Sequence, residues 1–217
     1  MTPLVDLSHD DVQALRRRVR SSGFGLLSDA IAPTVLRGLR DEAEERRSDA
    51  KFAEQTAGVR FRSSIAALGP KASGFLRDRQ LAGLLSAVFG AAFVLTEDRS
   101  CLTFYDEGDH LGAHRDEPAT ECVVTIIVYL TVSGPSPRPP RSGLELRVYG
   151  REMTESCPTR VTIPTRPGAL VIGLGSEFWH ERPMLEQGEQ VSALTACYQR
   201  DQDCERRADH RAGDSTG

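Results

Sequence analysis

The sequence predicts an α+β chain: helices up to about residue 92, then a jelly-roll barrel of antiparallel strands from 93 to 199. Three observations carry this. Apolar residues recur at helical spacing in three stretches before Phe89. From Phe93 onward the texture changes to β-branched and aromatic runs separated by Gly and Pro. Finally, His114 and Asp116 lie two residues apart with a distant possible partner in His180, and one end of a jelly-roll barrel can collect side chains from strands far apart in the chain.

Ser8, followed by Asp10 and Asp11, signals a helix start, and Val12, Leu15 and Val19 continue the period to Ser22. The segment Gly23 to Leu27 breaks it and reads as a short strand. Pro33 opens a second helix with Val35, Leu36, Leu39 and Ala43 on its apolar side and charges from Asp41 to Arg47. Ser48 to Pro70 reads as irregular, with a strand at 59–63. A third helix is expected over Ser73 to Phe89, with Leu76, Leu81, Leu84, Leu85 and Val88 inward and Gly90 as its stop. Strands are expected near 93–96, 100–105, 111–116, 123–132, 143–149, 159–163, 168–173, 178–184 and 190–198. The Pro-rich stretch Ser133 to Ser142 is a loop. Residues 1–92 are thus a helical support within the same domain, 93–199 the core, and 200–217 a polar, disordered tail.

With 217 residues, 39% hydrophobic and 27% charged, the chain can bury a sizeable core and belongs to the soluble globular class. The longest nearly unbroken apolar run, Val123 to Val132, is too short to span a bilayer. The N-terminus lacks a basic region followed by an apolar segment, so a cytoplasmic location is expected. A net charge of −4, with Lys51 and Lys71 the only lysines and no basic cluster among aromatics, gives no reason to expect nucleic acid. Five cysteines, Cys101, Cys122, Cys157, Cys197 and Cys204, form no C-x-x-C pair and read as reduced thiols.

The chemistry centres on Tyr105 to Asp116, YDEGDHLGAHRD. On an extended strand, side chains at i and i+2 share a face, so His114 and Asp116 can hold one metal ion together. His180, in EFWHERPML, would complete a facial triad whose open positions suit non-haem Fe(II) oxygenases. An isolated His-x-Asp, or a single histidine, is more commonly structural; here the context raises both. His110 and His114 have the helical i, i+4 zinc spacing, but Gly108 and Gly112 oppose a helix there. Arg115 and Trp179 are expected to face away from the metal.

From Ser100 to Tyr198 the residues resemble the Fe(II)- and 2-oxoglutarate-dependent oxygenases, particularly the prolyl 4-hydroxylase-like branch. Tyr105 and Gly108 before His114 and Asp116 are similar to that family's approach to its ligands. TIIVYL (Thr125 to Leu130) is similar to its second core strand, and GLELRVY (Gly143 to Tyr149) to the following one. PGALVI (Pro167 to Ile172) is similar to the turn and strand before the distal histidine, which falls on His180. The resemblance implies a double-stranded β-helix fold, Fe(II), 2-oxoglutarate and dioxygen as cosubstrates, and ascorbate as a reductant. It implies hydroxylation, or desaturation or cyclisation, and Asp116 at the third ligand position argues against halogenation. The compact chain favours a small-molecule substrate such as an amino acid or a secondary-metabolite intermediate.

The sequence departs from the family at one place. Where the family carries an arginine that pairs with the far carboxylate of 2-oxoglutarate, this chain has Gln190, and an amide cannot supply a charge-assisted fork. The resemblance sets Tyr105, Tyr129 and Ser192 at the cosubstrate. Arg182, on the strand face of His180, is the candidate replacement cation, its alternative being an ion pair with Glu181 or Glu186. Two further readings stay open: an iron-binding sensor or pseudoenzyme of the same fold, and an Fe(II) oxygenase that does not use 2-oxoglutarate.

Overall fold

A computed structural model describes residues 3–55, 58–134, 142–153 and 158–202. Helix α1 (His9–Ser22) starts at a capping box, in which Ser8 and Asp11 satisfy each other's backbone N–H groups. It stops at Gly23, whose φ of 85° reverses the chain. Strand β1 (Phe24–Leu27) follows, and Pro33 occupies the first turn of α2 (Pro33–Arg47).

The next region differs from expectation. Residues 48–70 hold a hairpin of β2 (Lys51–Gln55) and β3 (Phe61–Ala66), paired from Lys51 opposite Ile65 to Gln55 opposite Phe61. Strand β2 is exposed along most of its length, so no apolar alternation announced it. The expected single helix over 73–89 is two, α3 (Pro70–Leu76) and α4 (Arg79–Phe89). The break lies at Asp78, which has extended backbone and accepts the Gln80 N–H with its carboxylate, capping α4.

The strands that follow are β4 (Phe93–Tyr105), β5 (His110–His114), β6 (Val124–Ser133), β7 (Glu145–Val148), β8 (Val161–Pro164), β9 (Leu170–Gly173), β10 (His180–Arg182) and β11 (Gln190–Arg200). The two strands expected at 93–96 and 100–105 are one, β4, with an irregularity opposite Thr195 and Cys197. Sheet order is β1-β9-β6-β11-β4-β3-β5-β10-β7-β8, with β2 beside β3 and every pairing antiparallel. The chain is a jelly roll, the double-stranded β-helix, nearly closed into a barrel. Strands β1, β2 and β3 of the N-terminal part are built into this sheet.

Strand alternation divides the core. Ile126, Val128 and Leu130 of β6 and Leu194, Ala196 and Tyr198 of β11 pack outward against Leu15, Leu39, Leu81 and Leu85 of the helices. Ile127, Tyr129, Val191 and Ala193 point into the barrel. Covered on both faces from Val124 to Leu130, β6 reads there as a nearly continuous apolar run. The thiols of Cys122 and Cys197 are joined as a disulfide, against the expectation of free cysteines. The pairing of Thr125 with Cys197 brings the start of β6 to β11 across 75 residues of chain, a proximity that no local spacing encodes. Cys101 is free; Cys157 and Cys204 lie outside the described residues, as do 135–141 of the expected loop and 203–217 of the expected tail.

Candidate metal centre

Strand β5 delivers His114 and β10 delivers His180, and the two are direct partners across the antiparallel pair, with ring centroids 4.3 Å apart. Gly108, with φ of 82°, makes the turn from β4 that sets β5 in place. Each imidazole is oriented by its own strand: Nδ1 of His114 lies 2.9 Å from the Gly112 carbonyl oxygen, and Nδ1 of His180 lies 3.0 Å from that of Phe178. This leaves both Nε2 atoms facing inward. Asp116 lies just beyond β5, its N–H donating to the Gly175 carbonyl at 3.0 Å. Its Oδ1 stands 3.3 Å from His114 Nε2 and 3.7 Å from His180 Nε2. The three ligand-type atoms lie within 4.8 Å of one another, a nitrogen, nitrogen and oxygen donor set around one point.

The protonation states suit a cation. Burial would raise the Asp116 carboxyl, but the neighbouring His180 and His114 and the Thr125 hydroxyl outweigh it and hold the group well below the usual carboxylate range. Burial and the adjacent His114 push His180 down to about 4. For His114 burial acts downward, yet the hydrogen bond and charge of Asp116 prevail and raise it. An ionised carboxylate and a neutral imidazole are thus present at pH 7, the forms that ligate metal.

The triad opens on a cavity of about 260 Å³, with Leu111, Ile127 and Leu146 among its apolar walls. Arg182 also lines it. This guanidinium is 4% exposed, donates from Nη1 to the Gly143 carbonyl (3.0 Å) and Thr165 Oγ1 (3.2 Å), and lies 5.2 Å from the ring centres of both Tyr105 and Tyr129. Among the described residues no carboxylate pairs with it: Glu181 engages Arg147 and Tyr149 instead. The Tyr129 hydroxyl, fully buried, has no hydrogen-bond partner among the described residues.

Of the residues expected at the cosubstrate, Tyr105 and Arg182 line the cavity and Tyr129 stacks against Arg182. Gln190 and Ser192 are not brought there. Gln190 is exposed at the start of β11 and donates to Asp106 Oδ1 at 3.0 Å. The Ser192 hydroxyl bonds the Thr131 hydroxyl and accepts the Thr131 N–H at 3.2 Å. His110 sits on β5 with Nδ1 3.3 Å from the Gly108 carbonyl, and Arg115 stacks on Trp179 at 5.4 Å outside the cavity. Sequence reasoning missed Thr125, which donates to Asp116 Oδ2. Its place two and four residues before Ile127 and Tyr129 on one strand face was the available signal. Thr165, the partner of Arg182, had none.

No protein-family model matches the sequence, and no curated protein is similar to it. Solved structures are. A prolyl-4-hydroxylase from Pseudomonas putida superposes with a TM-score of 0.60 at 18% identity, over 87% of this chain and 98% of that one. The chain has the fold of 2-oxoglutarate Fe(II) oxygenases. The non-heme alpha ketoglutarate dependent epimerase SnoN of nogalamycin biosynthesis matches with a TM-score of 0.70 at 14% identity, over 88% of this chain and 84% of that one. A Trichoplax adhaerens prolyl hydroxylase, in complex with a hypoxia inducible factor peptide fragment, gives 0.62 at 18% identity, over 86% of this chain and 88% of that one.

Proposed function

We propose that the protein is an Fe(II) oxygenase that uses 2-oxoglutarate to oxidise a small molecule, by hydroxylation or by a related desaturation or cyclisation. One observation carries this: a single cavity holds a two-histidine, one-carboxylate cluster and a buried guanidinium with no carboxylate of its own. A buried cation left unpaired is costly, and an anionic ligand is what would offset it. The orphan Tyr129 hydroxyl beside it supplies a further donor of the kind a carboxylate needs.

In this reading His114, Asp116 and His180 hold the iron, and Arg182 with Tyr129 binds the far carboxylate of the cosubstrate. Arg182 then replaces the arginine absent at Gln190. Attachment points two residues apart on a strand, about 6.8 Å, match the span of a short dicarboxylate. Tyr105 also packs its ring on the guanidinium. When bound, the iron and 2-oxo acid would supply oxidative decarboxylation with dioxygen, coupled to oxidation of a carbon–hydrogen bond of the substrate and release of succinate and carbon dioxide. The apolar walls limit water in the cavity. Affiliation with the prolyl 4-hydroxylase-like branch, a cytoplasmic location and ascorbate as reductant belong to the same proposal. No helix of the described residues is long and apolar enough to cross a membrane.

The test is anaerobic titration of the Fe(II) protein with 2-oxoglutarate. A visible charge-transfer band should appear, and oxygen should then yield succinate. Absence of both with iron bound would overturn the cosubstrate assignment and favour the sensor or the oxygenase without 2-oxoglutarate.

A further inference from the structure

The two oxygens of Asp116 are treated differently. Oδ1 faces both histidine Nε2 atoms, at 3.3 and 3.7 Å. Oδ2 accepts a hydrogen bond from the hydroxyl of Thr125, a buried residue on β6. The chain makes room for this bond at Gly175, where a Cβ would collide with both Asp116 Oδ2 and Thr125 Oγ1. The same residue accepts the Asp116 N–H through its carbonyl at 3.0 Å. The backbone bond fixes the main chain of Asp116, and the Thr125 hydroxyl engages one oxygen of its carboxylate.

The rotation of this group matters because a carboxylate can ligate a metal through one oxygen or through both, and the second mode takes an additional position. We propose that Thr125 is a positioning residue that makes Asp116 a one-oxygen ligand, engaging Oδ2 so that positions on the metal stay open for the cosubstrate and dioxygen. This rests on the reading of His114, Asp116 and His180 as metal ligands. A hydroxyl donating to an ionised carboxylate forms one of the stronger hydrogen bonds, about twice a neutral one, so it can hold the rotamer.

The experiment compares wild type with Thr125→Val, which removes the hydroxyl and keeps the shape, and Thr125→Ser, which keeps the hydroxyl. Each is loaded with Co(II), whose visible absorption reports coordination number without cosubstrate or turnover. Each is then loaded with Fe(II) and titrated anaerobically with 2-oxoglutarate. All three should bind one metal with affinities within about threefold. The cobalt spectrum of Thr125→Val should shift from wild type and that of Thr125→Ser should superimpose on it. 2-Oxoglutarate should bind Thr125→Val at least about tenfold more weakly, equivalent to about 1.4 kcal/mol. An unshifted cobalt spectrum in Thr125→Val, or loss of metal from it, would overturn the proposal. If wild type binds cobalt but no 2-oxoglutarate, and the valine spectrum still shifts, the cosubstrate reading fails while the role of Thr125 stands.

Discussion

Replacing Arg182 by methionine separates what this side chain does for the fold from what it does for a ligand. In the ligand-free protein the substitution removes two Nη1 hydrogen bonds, to Gly143 and Thr165, of about 1 kcal/mol each. It also removes stacking on Tyr105 and Tyr129, about 0.5–2 kcal/mol. Against this stands relief of a buried cation with no carboxylate partner, an effective penalty of several kcal/mol. The contributions nearly cancel, so unfolding free energy should change by less than about 2 kcal/mol. For 2-oxoglutarate nothing cancels: its far carboxylate would enter a closed site unpaired, costing about 3 kcal/mol or more. The dissociation constant should therefore rise at least about a hundredfold. Anaerobic titration of the Fe(II) protein, followed by charge-transfer absorption, measures this, with 2-oxobutyrate as the control that lacks the far carboxylate. Binding of 2-oxobutyrate should be indifferent to the substitution. If Arg182→Met leaves the 2-oxoglutarate constant within about threefold of wild type, the argument from the unpaired guanidinium is wrong. Gln190→Arg should not rescue the variant, because a cation there meets Asp106 outside the cavity.

His114→Ala, Asp116→Ala and His180→Ala should each abolish binding of the single Fe(II), measured by metal analysis after desalting, while circular dichroism stays native; stoichiometric iron in all three would refute the site. Lowering the pH through the raised His114 value places a proton where the metal must bind. Fe(II) affinity should then fall about tenfold per pH unit below it, as competition titrations would show. Turnover in chloride buffer should give no chlorinated product by mass spectrometry, since in the proposed site Asp116 would occupy the position a halide needs. Reduction of the Cys122–Cys197 disulfide, which closes a loop of 75 residues, should lower unfolding free energy by up to about 4 kcal/mol in denaturant titrations with and without reductant.

What the residues themselves determined is local. The Ser8 and Asp11 cap, the Gly23 stop, the apolar period of α1, α2 and α4, and the continuous apolar run of β6 are set within a few residues by backbone sterics and side-chain direction. The two-residue spacing marked His114 and Asp116, but the strand stops at His114, and the N–H bond of Asp116 to the Gly175 carbonyl is what ties its backbone down beside the histidine. Where local signals were weak they misled: the exposed β2 carried no alternation, and Asp78 cut a helix whose apolar period runs across the break.

Partner choice was decided only by the tertiary structure, because it depends on register between strands far apart in the chain. The sequence offered Arg182 either a ligand or a surface ion pair; the fold buried it between Tyr105 and Tyr129 and gave Glu181 to Arg147 and Tyr149. Gln190 and Ser192 share a strand with cavity-lining Ala193, yet Gln190 is exposed at the strand's end, and an irregularity between Ser192 and Ala193 separates the register of Ser192 with Thr131 from that of Ala193 with Tyr129. Thr125 reaches Asp116 only because residue 175, on another loop, has no side chain. Contacts of this kind are fixed by how the barrel closes, and a linear pattern of residue types does not contain that geometry.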